Sequence, residues 1–145
     1  MELTKVFEFV KSMLSSVVGL KLVTWWNGQQ GESILHTTPS VFIEFSKPLN
    51  TVQMAGTQSA MSDIEITVLL VNKSFTNNAG EVNTINIAQH EALGIAIYKA
   101  LQGASWEWET QSINSMQRRE LDMNMNTPGM IITKQVFEAE LVWSE

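Results

Sequence analysis

The chain has 145 residues, no cysteine, and 9 Lys and Arg against 15 Asp and Glu, a formal net charge of −6. That length suits a single domain, 1–145, with a core of its own. The missing cysteines exclude disulfides, thiolate nucleophiles and cysteine-held zinc or iron–sulfur centres. The acidic balance argues against general phosphate binding, because affinity for nucleic acid rests largely on Lys and Arg.

In "MELTKVFEFVKSMLSSVVGLKLV" the residues Leu3, Val6, Phe7, Val10, Met13, Leu14 and Val17 recur at three- and four-residue steps. That spacing predicts an amphipathic first helix, with Gly19 as its stop. Glu2, Lys5, Glu8 and Lys11 interrupt any uncharged run of signal-peptide or membrane-span length, so a soluble chain is expected. "LKLVTWW" reads as a strand running into "NGQQG", where Asn27-Gly28 predicts a hairpin turn.

"PSVFIEF" predicts a second strand, with Val41, Ile43 and Phe45 on one side and Phe42 and Glu44 on the other. "DIEITVLLV" (Asp63–Val71) predicts a third: Asp63, Glu65 and Thr67 alternate with Ile64, Ile66 and Val68, as in a half-buried antiparallel strand. Between these two strands, Ser46–Ser62 reads as a long loop of small and polar residues, a kind of connection that is usually functional or disordered. "TINIAQHEALGIAIYKALQG" is the clearest helix. Ala88, Ala92, Ala96 and Ala100 form a ridge of small side chains expected to lie close on the sheet, beside Leu93, Ile97 and Leu101. Asn83 or Thr84 can cap its start, Lys99 suits its negative end, and Gly103 can terminate it.

"SWEWET" then begins a strand with Trp106 and Trp108 on one side. The ending, "QRRELDMNMNTPGMIITKQVFEAELVWSE", reads as two extended runs joined at Pro128-Gly129, the central pair of a type II turn. Its last strand sets Phe137, Ala139, Leu141 and Trp143 against Glu138 and Glu140. The expected fold is therefore α+β, with helices on one face of a mainly antiparallel sheet and the order α-β-β-β-α-β-β.

Chemistry-bearing patterns are sparse. His90-Glu91 begins a zinc-protease motif, but position 94, where the second histidine belongs, is Gly94, so His90 reads as a lone surface histidine. His36 has no partner at ligand spacing, and no GxSxG elbow occurs. "GQQG" has the outline of a backbone clamp for nucleic acid, yet strand-like residues and Glu32 flank it, which favours a plain turn. Trp25-Trp26 and Trp106/Trp108 could stack bases or grip a ligand, though one tryptophan of each pair is expected in the core and the other at an edge. Arg118-Arg119, flanked by Glu120 and Asp122, suits salt links across strands or between subunits. Met116, Met123, Met125 and Met130 suit an adaptable packing surface. Two carboxylate pairs, Glu107/Glu109 and Glu138/Glu140, could each share a site if both members lie on one strand. Nothing else converges on them, so no catalytic, cofactor-binding or metal-binding residue is assigned.

Taken together, the N-terminal helix, the strands split by a long loop, the helix "AQHEALGIAIYKAL" and the final strand pair resemble the tail-terminator and tail-completion proteins of long-tailed bacteriophages. The resemblance covers nearly the whole chain and implies a structural, non-enzymatic subunit. Such a subunit would form a ring with itself, typically hexameric in that family, on the tail tube. Its expected partners are the tube protein and a head-completion or neck protein; DNA would pass the lumen without specific binding, and no membrane is involved. Its place would be the tail or neck of the virion, after assembly in the host cytoplasm. On this reading the loop residues Gln53, Met54 and Gln58 and the hairpin residues Arg118, Arg119, Glu120 and Asp122 are the expected contacts with neighbouring subunits. Two other readings stay open: a ligand- or peptide-binding module using its tryptophan-bearing surface, and a small carboxylate-dependent hydrolase.

Overall fold

The computed structural model describes residues 2–26, 38–45, 51–53, 59–73, 80, 84–127 and 129–144, with the main chain alone at 51–53, 59 and 124–127. Helix α1 (Leu3–Leu14) is followed by strands β1 (Leu22–Trp25), β2 (Ser40–Phe45), β3 (Thr51–Gln53) and β4 (Ser59–Lys73). Helix α2 (Thr84–Leu101) then leads to β5 (Trp106–Trp108), β6 (Gln111–Thr127) and β7 (Met130–Ser144). All the strands join one sheet in the order β1-β2-β4-β7-β6-β5, with β3 paired to β4 beside β2.

The α+β class and the layering are as expected, with two short strands added. β3 and the first residues of β4 occupy part of the stretch read as a loop, and "WEW" is a strand of its own. One pairing is a correction. β1 and β2 run parallel, Leu22 opposite Ser40 and Trp25 opposite Ile43, so they are not the arms of a hairpin. Asn27-Gly28 itself lies outside the described residues, as do His36 and the "GQQG" stretch.

Strand alternation builds the core. Along β4, Ile64, Ile66, Val68 and Leu70 turn towards the helices, opposite Ala139, Phe137, Gln135 and Thr133 of β7. The same face receives Val41 and Ile43 from β2 and Ile113 and Met116 from β6, all buried. Each such side chain contributes roughly 1.5–3 kcal/mol relative to an exposed one. Odd-numbered positions of β4 turn to the far side. There Leu69 and Val71 join Phe42, Met130 and Ile132 in a second buried cluster. β4 and β7 pair without interruption from Ser59/Ser144 to Lys73/Met130, a ladder about 50 Å long at ~3.4 Å per residue. Gly129 closes the β6–β7 hairpin at φ +78°, the conformation expected of it; Pro128 lies outside the described residues.

α1 docks through Val6, Phe9, Val10 and Leu14. Its first turn is tied to the sheet by Gln111, whose Oε1 accepts from the Glu2 N–H at 2.8 Å and whose Nε2 donates to the Glu2 carbonyl at 3.1 Å. The tryptophans hold the same helix. Phe9 stacks on Trp106 and Trp106 on Trp108, with Lys5 over the Trp108 ring. Trp25 sits between Phe7 and Phe45. Trp106 and Trp108 are thus both half-buried on one side, not split between core and edge.

The expected alanine ridge of α2 meets the core only in its second half, where Ala96 and Ala100 pack against it beside Leu93, Ile97 and Leu101. Ala88 and Ala92 are exposed and Ala96 and Ala100 only partly buried, whereas His90, Ile97 and Leu101 are buried. The close approach is made at Gly94. A methyl group there would meet Thr133 and Gln135 of β7 at about 4.0 Å. His90 is therefore not a surface residue: it is wholly enclosed between α2 and β7.

Candidate interaction site on the outer border of strand β6

Among the described residues, β6 is covered on its outer side only at the beginning. β5 pairs with it from Gln111 to Ile113, and the α2–β5 link continues the cover. Gly103 N–H donates to the Met116 carbonyl at 2.7 Å, and Met116 N–H donates to Ala104 at 2.8 Å. Gln102 then receives the Arg118 N–H on its Oε1 at 2.9 Å. Past Arg118, no described strand pairs with the outer side of β6.

This border is shaped by three register shifts against β7, between Asn114/Gln117, Arg118/Glu120 and Asp122/Met125. Bulges twist an edge and break the even row of ladder groups, which hinders indiscriminate strand addition. The border is thus better suited to contact through side chains. On the helix side, the Arg118 guanidinium lies 4.1 Å from the centre of the Tyr98 ring. Its Nη1 donates to Gln135 Oε1 at 3.1 Å, while Gln135 Nε2 donates to the Gly94 carbonyl at 3.0 Å. One glutamine thereby locks helix, strand and arginine together. Beyond it, Ile95, Leu121 and Met123 are 56%, 42% and 46% exposed. With Tyr98, Thr133, Arg118 and Glu91 they line a cavity of about 140 Å³.

Arg118, Arg119, Glu120 and Asp122 all lie on this border. They do not form one cluster. Arg118 belongs to the helix side, and Arg119 reaches Glu138 on the far side at 3.6 Å. Both partners of that ion pair are substantially exposed, so it contributes little to stability. Glu120 and Asp122 stand opposite Val136 and Lys134. Gln53 ends β3, paired with Ala60, and is separated from β6 by both β4 and β7. Met54 and Gln58 lie outside the described residues. Sequence reading missed Tyr98, Gln102 and Gln135, whose contacts cross from helix to strand. Leu121 and Met123, apolar residues inside "RRELDMNMN", were the available signal.

The far side of the sheet carries a block of carboxylates. Asp63 stands directly opposite Glu140, and Glu65 directly opposite Glu138. Asn114 donates to Glu140 at 2.9 Å. Like charges in register are destabilising. Among the described residues no group of three or more His, Asp or Glu is placed to hold a metal ion. The other carboxylate pair shares a cavity, though not as two members of one strand. Glu107 is on β5, but Glu109 is in the following turn at φ +47°, and both line an open, polar cavity with Thr110 and Ser112. Trp25, Trp26, Trp106 and Trp108 line neither this cavity nor the one beside α2. No helix among the described residues is long and apolar enough to cross a membrane.

The fold has a solved counterpart. A chain in the virion of a native gene transfer agent particle matches it with a TM-score of 0.51 and 10% identity, over 91% of this chain and 83% of that one. At that identity the likeness is one of fold. No protein-family model and no curated protein matches the chain.

Proposed function

We propose that the chain is a structural subunit of a phage-like virion that assembles head-to-tail with copies of itself, as a ring capping the tail tube at the neck. The observation that carries this reading is the position of the two expected contact regions. Gln53 and the β6 residues Arg118–Asp122 lie on opposite borders of one sheet. Head-to-tail closure needs two different surfaces on each subunit, whereas a two-fold dimer needs one. The fold shared with a chain of a gene transfer agent virion supports a virion role.

Six subunits, contacts with the tube and with a head-completion or neck protein, and assembly in the host cytoplasm follow from the resemblance to tail terminators. The carboxylate block on the far side of the sheet suits a wall past which DNA moves without being held, since it repels phosphate. In this role the chain performs no catalysis. Negative-stain images of tail tubes grown with the protein should show capped ends and a fixed length. Tubes that elongate equally with and without it would sink the proposal. Leu121→Asp combined with Met123→Asp should abolish capping while leaving the fold intact.

A further inference from the structure

His90 is the buried titratable group that the assembly reading does not use. Its Nε2 is 2.8 Å from Thr133 Oγ1, and its Nδ1 is enclosed with no hydrogen-bond partner among the described residues. We propose that His90 is an acid-sensitive latch. With a neutral ring α2 stays docked on β7; uptake of a proton releases the helix and with it the wall of the β6 cavity.

A neutral imidazole needs only one N–H partner, and the Thr133 hydroxyl can donate or accept according to tautomer. An imidazolium has two N–H groups and a positive charge. Among the described residues no acceptor bonds Nδ1 and no counter-ion faces the ring. Asn86, four residues earlier on the same side of α2, has a buried amide oxygen but carries no charge, so the imidazolium remains the expensive form.

Among the described residues, no neighbour supplies a counter-charge. On β7, Thr133 and Gln135 are uncharged and Lys134 points to the far side, opposite Asp122 and Leu69. β4 presents Leu70 and Asn72 opposite Thr133 and Ile131. The only charged β6 side chain known to lie on the helix side is Arg118, a cation. On α2 itself Glu91 follows His90, but it is exposed and lines the solvent-open cavity, where water screens its charge. Burial alone accordingly pulls the His90 pKa below the ordinary 6.5.

Release would be transmitted directly. Thr133 and Gln135 share one face of β7, and Gln135 holds both the Gly94 carbonyl and Arg118. Undocking α2 at His90 therefore also removes the Tyr98 and Ile95 side of the cavity. The sign follows from a folded pKa below the unfolded one. Docking is fully stable above about pH 6.5 and weakens as pH falls from there towards the folded pKa, by up to about tenfold in the opening constant per pH unit.

Native-state hydrogen exchange on α2 amides between about pH 5 and 7.5, corrected for intrinsic rates, tests this. Wild type should show opening that grows by up to about tenfold per unit below pH 6.5, confined to α2 and its contacts. His90→Gln should flatten the profile, and His36→Gln should preserve it. A flat wild-type profile, or a slope that survives His90→Gln, overturns the latch. Should His90→Gln fail to fold, imidazole NMR on wild type decides: ring protonation that coincides with loss of α2 protection supports it. A ring that titrates at or above 6.5 with α2 still protected refutes it. The result is independent of whether the β6 border meets another copy.

Discussion

The two faces of the sheet are made by the same strands and answer to different demands. Under the helices, β2, β4, β6 and β7 contribute one continuous apolar cluster, from Val41 to Leu141. The far face is divided. Near the β6–β7 turn it carries the apolar group of Phe42, Leu69, Val71, Met130 and Ile132, and towards the other end it carries Asp63, Glu65, Glu138 and Glu140 in opposed pairs. Burial accounts for the first face. It cannot account for the acidic end of the second, where alternation would have allowed any polar residue and like charges stand in register against stability. The difference teaches that packing dictates one face of these strands and leaves the acidic end of the other undetermined by burial.

The largest test of that contrast is on the helix side. Phe137 is fully buried, and Phe137→Ala should destabilise the protein by about 3–5 kcal/mol in urea melts. A loss under about 1 kcal/mol would mean that the helix layer is not the main source of stability. Next comes the polar seam within the same face. Thr133→Val removes the partner of His90 and should cost about 1–3 kcal/mol at pH 8; an unchanged midpoint would show that the ring is satisfied elsewhere.

Gly94→Ala probes the distance between α2 and β7. The added methyl makes ordinary contact at about 4.0 Å, so the gain in helix propensity should stabilise by roughly 0.5–1 kcal/mol. Destabilisation would show that the space between helix and sheet does not admit the added methyl. Smallest of all, Asp63→Lys places a cation opposite Glu140 on the far face. It should stabilise by about 0.2–1 kcal/mol at low salt, an effect that fades as salt is added. If thermal melts show no gain, the opposed carboxylates do not repel as their register implies.

Alternation was legible wherever one strand face is buried, because a slip by one residue would expose every apolar side chain. Val41 and Ile43, the even positions of β4, and Phe137, Ala139 and Leu141 all face as their spacing indicates. The covered side of helix α2 was legible only in part, for the converse reason. Ile, Ala and Leu recur all round it, so periodicity selects no face, and the evenly spaced alanines stood out while Gly94 made the contact. His90 was misjudged because a histidine's burial depends on what crosses above it. Of the candidate site, the charged residues Arg118–Asp122 were visible as an unusual cluster. Their separation between the two sides of β6 was not, since bulges depend on the register with β7.

By itself, the order of residues determined the α+β class, the helices, the faces of the long strands and the lack of cysteine chemistry. These properties are local or periodic, and each is set by neighbours within a few positions. Tertiary structure alone decided the parallel β1–β2 pair, the enclosure of His90, the Gln135 clamp and the placing of Gln53 and Arg118 on opposite borders. Those features join residues far apart in the chain, where strand pairing and helix docking choose the partners and short-range preference has no say.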